Sequence, residues 1–134
     1  MVSINKNSSK PYYEQLMLSI KEDILQGILQ PGDRLPSVRE LASQLMMNPN
    51  TISKTYKLLE GEQVLITVKG KGTYVKALTD VQRDEYKVGK LKARFNDLVI
   101  EAGHLLVTKA EIIDWITESE INLGGLENEN SSIE

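Results

Sequence analysis

Two helix starts lie eleven residues apart, at Ser37 and Asn48, and this spacing constrains the fold more than any other feature of the chain. Ser37 and Glu40 form a capping-box pattern. The serine hydroxyl accepts from the third helical N–H, and the glutamate reaches back to the serine's own N–H. The pattern predicts a helix from about 38 to 46 that buries Leu41 and Leu45. Asn48 then stands as an N-cap, and Pro49 takes the first helical position, where its missing N–H costs nothing. The second helix should run to about Gly61 and bury Ile52, Tyr56 and Leu59. Apart from the Asn48 cap, only Met46 and Met47 remain to turn the chain. Two short helices joined so tightly make a helix-turn-helix.

The flanking segments complete a small domain around that pair. Residues 1–10 are polar and are expected to form a flexible arm. From Pro11, apolar residues recur at Tyr13, Leu16, Met17, Ile20 and Ile24, the spacing of one buried helix face. Gly27 interrupts this helix, and Pro31-Gly32 marks a turn. Downstream, Val64, Leu65, Ile66 and Val68 precede KGKG, and Thr73, Tyr74 and Val75 follow it. Two β-prone runs around a glycine-containing turn read as a hairpin. Its tip, with two lysines between glycines, is a basic loop whose backbone is open to close approach, as a wing requires.

After Val75 the pattern changes. Leu91, Phe95, Leu98, Ala102 and Leu105 recur at steps of four and three, a helical seam. One helix is expected from about 80 to 104. Thr108 and Glu111 form another capping box and open a last helix carrying Ile112, Ile113, Trp115 and Ile116. Gly124-Gly125 should end it, before an acidic, disordered tail. The expected organisation is an arm (1–10), a winged helix-turn-helix (11–76), a two-helix dimerisation module (77–121) and a tail (122–134). The fold class is mainly α with a small β-hairpin.

Charge divides along the same boundary. The chain has a net charge of −3, but residues 1–76 carry ten Lys/Arg against seven Asp/Glu, and residues 77–134 carry six against twelve. A basic front and an acidic back point to a polyanion meeting the front alone. The absence of cysteine excludes disulfides and thiolate metal sites, and fits a reducing cytoplasm. The opening residues hold no apolar signal core, and no apolar run approaches the ~18 residues of a membrane span. Catalysis finds no support. His104 is the only histidine and stands near a helix end; GKGTYV lacks the spacing of a phosphate loop; Glu118 and Glu120 point to different sides of their helix. No catalytic residue, metal ligand or cofactor is expected.

The segments PYYEQL, GILQPGDRLPSVRELASQL, MNPNTISKTYKLLE and GKGTYV, in unbroken register from Pro11 to Val75, resemble the GntR family of transcription regulators. The C-terminal part, ARFNDLVIEAGHLLVTKAEIIDWI, resembles its YtrA-type subfamily, which carries a two-helix dimerisation module in place of a large effector domain. The resemblance implies that Arg39 meets DNA and Arg34 a phosphate. It also implies repression, by a homodimer on a palindromic operator in double-stranded DNA. Gln63 departs from the pattern, which has Gly there. Either Gln63 takes a left-handed conformation at a cost of about 1 kcal/mol, or the helix ends differently, with Gly61 as its candidate stop.

The residues themselves support a groove-reading role. A helix fits the major groove and its N-terminal residues meet base edges. Here those are Asn48, Asn50, Thr51, Ser53 and Lys54; Asn48 is a cap first, and Asn50 is suited to adenine. Lys69, Gly70, Lys71, Gly72 and Thr73 form the wing, whose glycines permit close approach and whose lysines neutralise phosphate. With Arg34, Ser37 and Arg39 these make up the expected DNA interface. Leu91, Phe95, Leu98, Ala102, Leu105, Ile112, Trp115 and Ile116 are expected at the dimer interface. Two other readings compete: a winged helix that binds only proteins, and a ligand-gated sensor. The first has no need of Arg34, Arg39, Lys54, Lys69 and Lys71 on one side. The second needs a small-molecule cavity that so short a C-terminal part does not enclose within one chain. Any effector would bind between subunits, between domains or on another protein.

Overall fold

The computed structural model describes residues 2–77 and 82–123, and the side chains up to residue 120. The chain divides into two compact units, with the boundary between residues 81 and 82.

In the first unit, α1 (Tyr12–Leu25), α2 (Val38–Leu45) and α3 (Pro49–Gly61) precede a hairpin of β1 (Leu65–Val68) and β2 (Gly72–Val75). Leu16 and Ile20 from α1, Leu41 and Ala42 from α2, and Ile52, Tyr56 and Leu59 from α3 meet in one core. Leu35, Leu65 and Val75 close it from the hairpin side. α3 is the central element, packing against α1, α2 and β1. Both predicted helix starts are present. Ser37 Oγ accepts from Glu40 N–H at 3.1 Å, and Asn48 Oδ1 accepts from Asn50 N–H at 2.9 Å.

The hairpin pairs antiparallel, Leu65 opposite Val75 and Val68 opposite Gly72. A third stretch joins it. Leu35 N–H donates to Thr73 O at 2.8 Å and Val75 N–H to Asp33 O at 2.9 Å, so residues 33–35 flank β2. The segment that the sequence marked only as a turn thus ties the entrance of α2 to the wing. The pairing is long-range, and no local pattern announces it.

Residues 2–10 differ from the expected free arm in their packing. Val2 and Ile4 are partly buried against the core. Ser3 N–H donates to Ser19 Oγ at 2.9 Å, and Asn5 N–H to Gln15 Oε1 at 2.7 Å. The Gln15 amide donates in turn to the carbonyls of Asn5 and Lys10. Two apolar side chains at alternate positions suffice to lay the segment along α1, and Gln15 satisfies the backbone there.

The second unit holds α4 (Glu85–His104) and α5 (Lys109–Leu123). α4 begins later than the expected residue 80, because Asp84 caps it by accepting from Lys87 N–H at 3.1 Å. The capping box of α5 is complete: Glu111 N–H donates to Thr108 Oγ1, and Thr108 N–H to Glu111 Oε1, each at 3.2 Å. α5 continues to Leu123, past the expected start of the tail; residues 124–134 lie outside the described residues. No helix among the described residues is long and apolar enough to cross a membrane, and no cluster of His, Cys, Asp or Glu among them is arranged to hold a metal.

Candidate nucleic-acid interface

The exposed side of α3 is built by its cap. With Asn48 outside the helix and Pro49 at its first position, Asn50 begins the outward face, and helical spacing brings Ser53, Lys54 and Lys57 to the same side. These four line one shallow open groove with Leu58. A neighbouring hollow joins Asn50, Thr51 and Lys54 to Tyr12 and Tyr13 at the start of α1. Lys54 Nζ lies 3.9 Å above the centre of the Tyr13 ring, a cation–π contact that holds the ammonium over α1. The structure thus brings Asn50, Thr51, Ser53 and Lys54 together as the sequence led us to expect, and it adds Lys57, Tyr12 and Tyr13. Lys57 lies four residues after Ser53, and that helical offset in the sequence was the signal for it. Nothing local revealed the tyrosines, because α1 and α3 meet only in the fold.

Several expected contacts are also structural parts. Asn48 spends a side-chain acceptor on its own helix, and Ser37 does the same for α2. Thr73 Oγ1 is 3.2 Å from Thr67 Oγ1, which also bonds the Glu60 carboxylate. Arg39 is exposed on α2. At the wing tip Lys71 N–H closes the turn onto Val68 O at 2.9 Å, with Gly70 at φ 78° and both lysines exposed. Gly72 matters for a different reason. A Cβ placed there would lie 2.8 Å from Arg34 Nε, and its φ is 130°. The missing side chain is what lets the Arg34 guanidinium lie across β2 towards the basic tip.

Behind this surface, Tyr56 donates its hydroxyl to Pro36 O at 2.8 Å, fixing the turn that carries Ser37. Burial, and then the Glu40 carboxylate, push the Tyr56 phenol up to about 12. The tyrosine therefore stays a neutral donor.

Helix ends control how α2 and α3 are aimed. Met46 and Gln63 both have positive φ, 55° and 63°. Each helix closes with the paired bonds of a Schellman motif: Met47 N–H to Ala42 O and Met46 N–H to Ser43 O, then Val64 N–H to Leu59 O and Gln63 N–H to Glu60 O. Gly61 is the last helical residue and Gln63 takes the left-handed position, so both alternatives raised by the sequence hold together. Lys6 Nζ donates to Met46 O at 3.4 Å and supports the first of these turns.

In the second unit Phe95, Leu98, Ala102, Leu105, Ile112 and Trp115 line one apolar cleft between α4 and α5. Ile116 lines a second hollow with Val99 and Ile113, and Leu91 lies in neither. No residue of α4 is buried within the chain.

Three helices, a tight turn between the second and third, and a hairpin packed on the third define a winged helix-turn-helix regulator. The chain belongs to the gntR family of bacterial regulatory proteins, which matches residues 12–75. It is 41% identical over 130 residues to the HTH-type transcriptional repressor YtrA of Bacillus subtilis, covering 96% of this chain and all of that one. A structure described as a transcriptional antiterminator from Listeria monocytogenes superposes with a TM-score of 0.87 at 39% identity, covering 93% of this chain and 94% of the other. The AraR DNA-binding domain, solved in complex with operator ORX1, superposes with a TM-score of 0.50 at 31% identity, covering 56% of this chain and 94% of that one. The chain is accordingly a transcription regulator, and its relatives are named as regulators and not as enzymes.

Proposed function

We propose that the chain is a cytoplasmic repressor that binds a palindromic operator in double-stranded DNA as a homodimer. One observation carries the DNA reading: the outward face of α3 offers Asn50, Ser53, Lys54 and Lys57 in one groove, on the same unit as a basic, glycine-opened wing. Asn50 and Thr51 suit base edges in the major groove, and Lys54, Lys57, Arg39 and Arg34 suit phosphates. The wing, with Lys69, Gly70, Lys71, Gly72 and Thr73, enters the adjacent minor groove. Ser37 and Asn48 serve by fixing the two helix starts and contact the backbone at most. The names of the B. subtilis repressor and of the AraR–operator complex support the reading.

The dimer follows from two considerations. One winged helix reads too few base pairs to find a site in a genome, whereas a two-fold pair reads two half-sites. The C-terminal helices also leave a large apolar surface: Leu91 is 61% exposed, Leu98 59%, Leu105 76% and Trp115 50%. Covering it with a second copy gains roughly 25 cal/mol per Å².

A mobility-shift titration of the full chain on the DNA upstream of its own gene tests the proposal. The expected result is a marked preference over random duplex and a log–log salt slope near −0.9 for each phosphate neutralised. Equal affinity for both duplexes would defeat it.

A further inference from the structure

The dimer reading leaves open how the two copies of α4 run past one another, and the charge order along the exposed side of that helix answers this. Leu91 and Leu98 on α4 and Leu105 at its C-cap stand seven residues apart, so they follow one side of the helix. Arg94 precedes Leu98 by four residues and Glu101 follows it by three, also seven apart and beside the leucine row. Glu101 lines the same apolar cleft as Leu98, Leu105 and Trp115, which puts this carboxylate at the rim of the surface to be covered. Among the described residues neither Arg94 nor Glu101 forms an ion pair within its own chain.

A two-fold interface matches the surface with itself. If the axis ran along α4, every residue would face its own copy. Arg94 would meet Arg94, Glu101 would meet Glu101, and Leu105 would meet Leu105. Like charges would then flank the seam at each step. If the axis instead crosses α4 at Leu98, each residue meets the one equally far on the other side. Leu98 then meets Leu98, and Leu91 meets Leu105. Arg94, four residues before the axis, comes within one residue, about 1.5 Å of rise, of the level of Glu101, three residues after it. These long side chains span that step, and both of these pairings occur twice.

We infer that α4 packs antiparallel against α4 of a second copy, with the two-fold axis at Leu98 and Arg94 paired to the second copy's Glu101 on both sides. The inference rests on the dimer reading and specifies its geometry. It commits the apolar cleft to a second copy of this chain, because the charge row complements itself in that one orientation.

Cysteine pairing tests this cleanly, since the sequence contains no cysteine. In the full-length protein under mild oxidation, Leu98→Cys should cross-link to a covalent dimer, and Leu91→Cys alone and Leu105→Cys alone should not. The combination Leu91→Cys with Leu105→Cys should cross-link. These two positions lie about 21 Å apart along one helix, far beyond the reach of a bond within a chain. Charge reversal gives an independent arm. Arg94→Glu and Glu101→Arg should each weaken self-association about ten-fold, two rim pairs turning repulsive, and the two together should restore it. A parallel pair would be indifferent to each reversal, since like charge would still face like charge. Ready self-cross-linking of Leu91→Cys alone, or no effect of either single reversal, overturns the orientation while leaving the dimer standing. A wild-type chain that sediments as a monomer at the concentrations that saturate operator overturns the dimer reading itself, and this inference with it.

Discussion

At the scale of single residues, the proposed interface mixes exposed groups with groups already employed by the fold. Asn50 and Arg39 are exposed and outside the core, so each should be separable from stability. Asn50→Ala should cost ~1–3 kcal/mol of operator binding and Arg39→Ala should weaken binding and lower the log–log salt slope by about 1, both with circular dichroism and thermal melting unchanged. A variant that binds operator like wild type would remove that residue from the interface. Lys54 differs, because its ammonium already rests on Tyr13. Tyr56 is almost wholly buried and its phenol is raised from 10.0 to about 12. In the unfolded chain the phenol ionises from its ordinary value upward, while the folded protein keeps its proton. The unfolded state therefore gains between pH 10 and 12, and stability falls across that window, by about 1 kcal/mol at pH 11. Urea melts at pH 9 and pH 11 should show this loss in wild type. Tyr56→Phe should be about 1 kcal/mol weaker at pH 9 from the lost bond to Pro36, and should lack this part of the pH dependence.

At the scale of elements, local chemistry explains what the sequence disclosed. Ser37, Asn48 and Thr108 each act within a few residues, and all three helix starts stand where those residues put them. Asp84 acts the same way but lies outside the seam that begins at Leu91, so the apolar pattern alone places the start of α4 several residues too early. What was not legible is long-range: residues 33–35 beside β2, Val2 and Ile4 against the core, Tyr13 under Lys54. Each depends on a partner at least ten residues away. The helix ends carry a prediction of their own. Met46, Gln63 and Leu106 all occupy left-handed positions that favour glycine. Gln63→Gly should relieve that strain and stabilise the first unit by about 0.5–1 kcal/mol after the entropy of the freer unfolded chain is counted. Its bond from Lys76 is exposed and its loss matters little. Gly72→Ala should act the other way, straining φ and displacing Arg34, and denaturant midpoints of the two variants should move in opposite directions.

At the scale of the whole molecule, charge divides between the two units: a basic first unit and an acidic second unit share a chain whose net charge is only −3. Phe95→Asp combined with Leu98→Asp should yield a monomer by light scattering while the first unit stays folded. Operator affinity should then fall far more than affinity for random DNA, because two half-sites no longer bind as one. Full operator affinity in such a monomer would refute the link between the units' roles. The same division has a spectroscopic consequence. The only indole of the chain, Trp115, lies in the apolar cleft of the second unit, half-exposed, and the first unit holds none. Fluorescence excited at the red edge of the indole band therefore reports from this cleft alone and is blind to unfolding of the first unit. Its emission should shift to the blue as the protein is concentrated, so an unlabelled dilution series becomes a direct titration of subunit pairing.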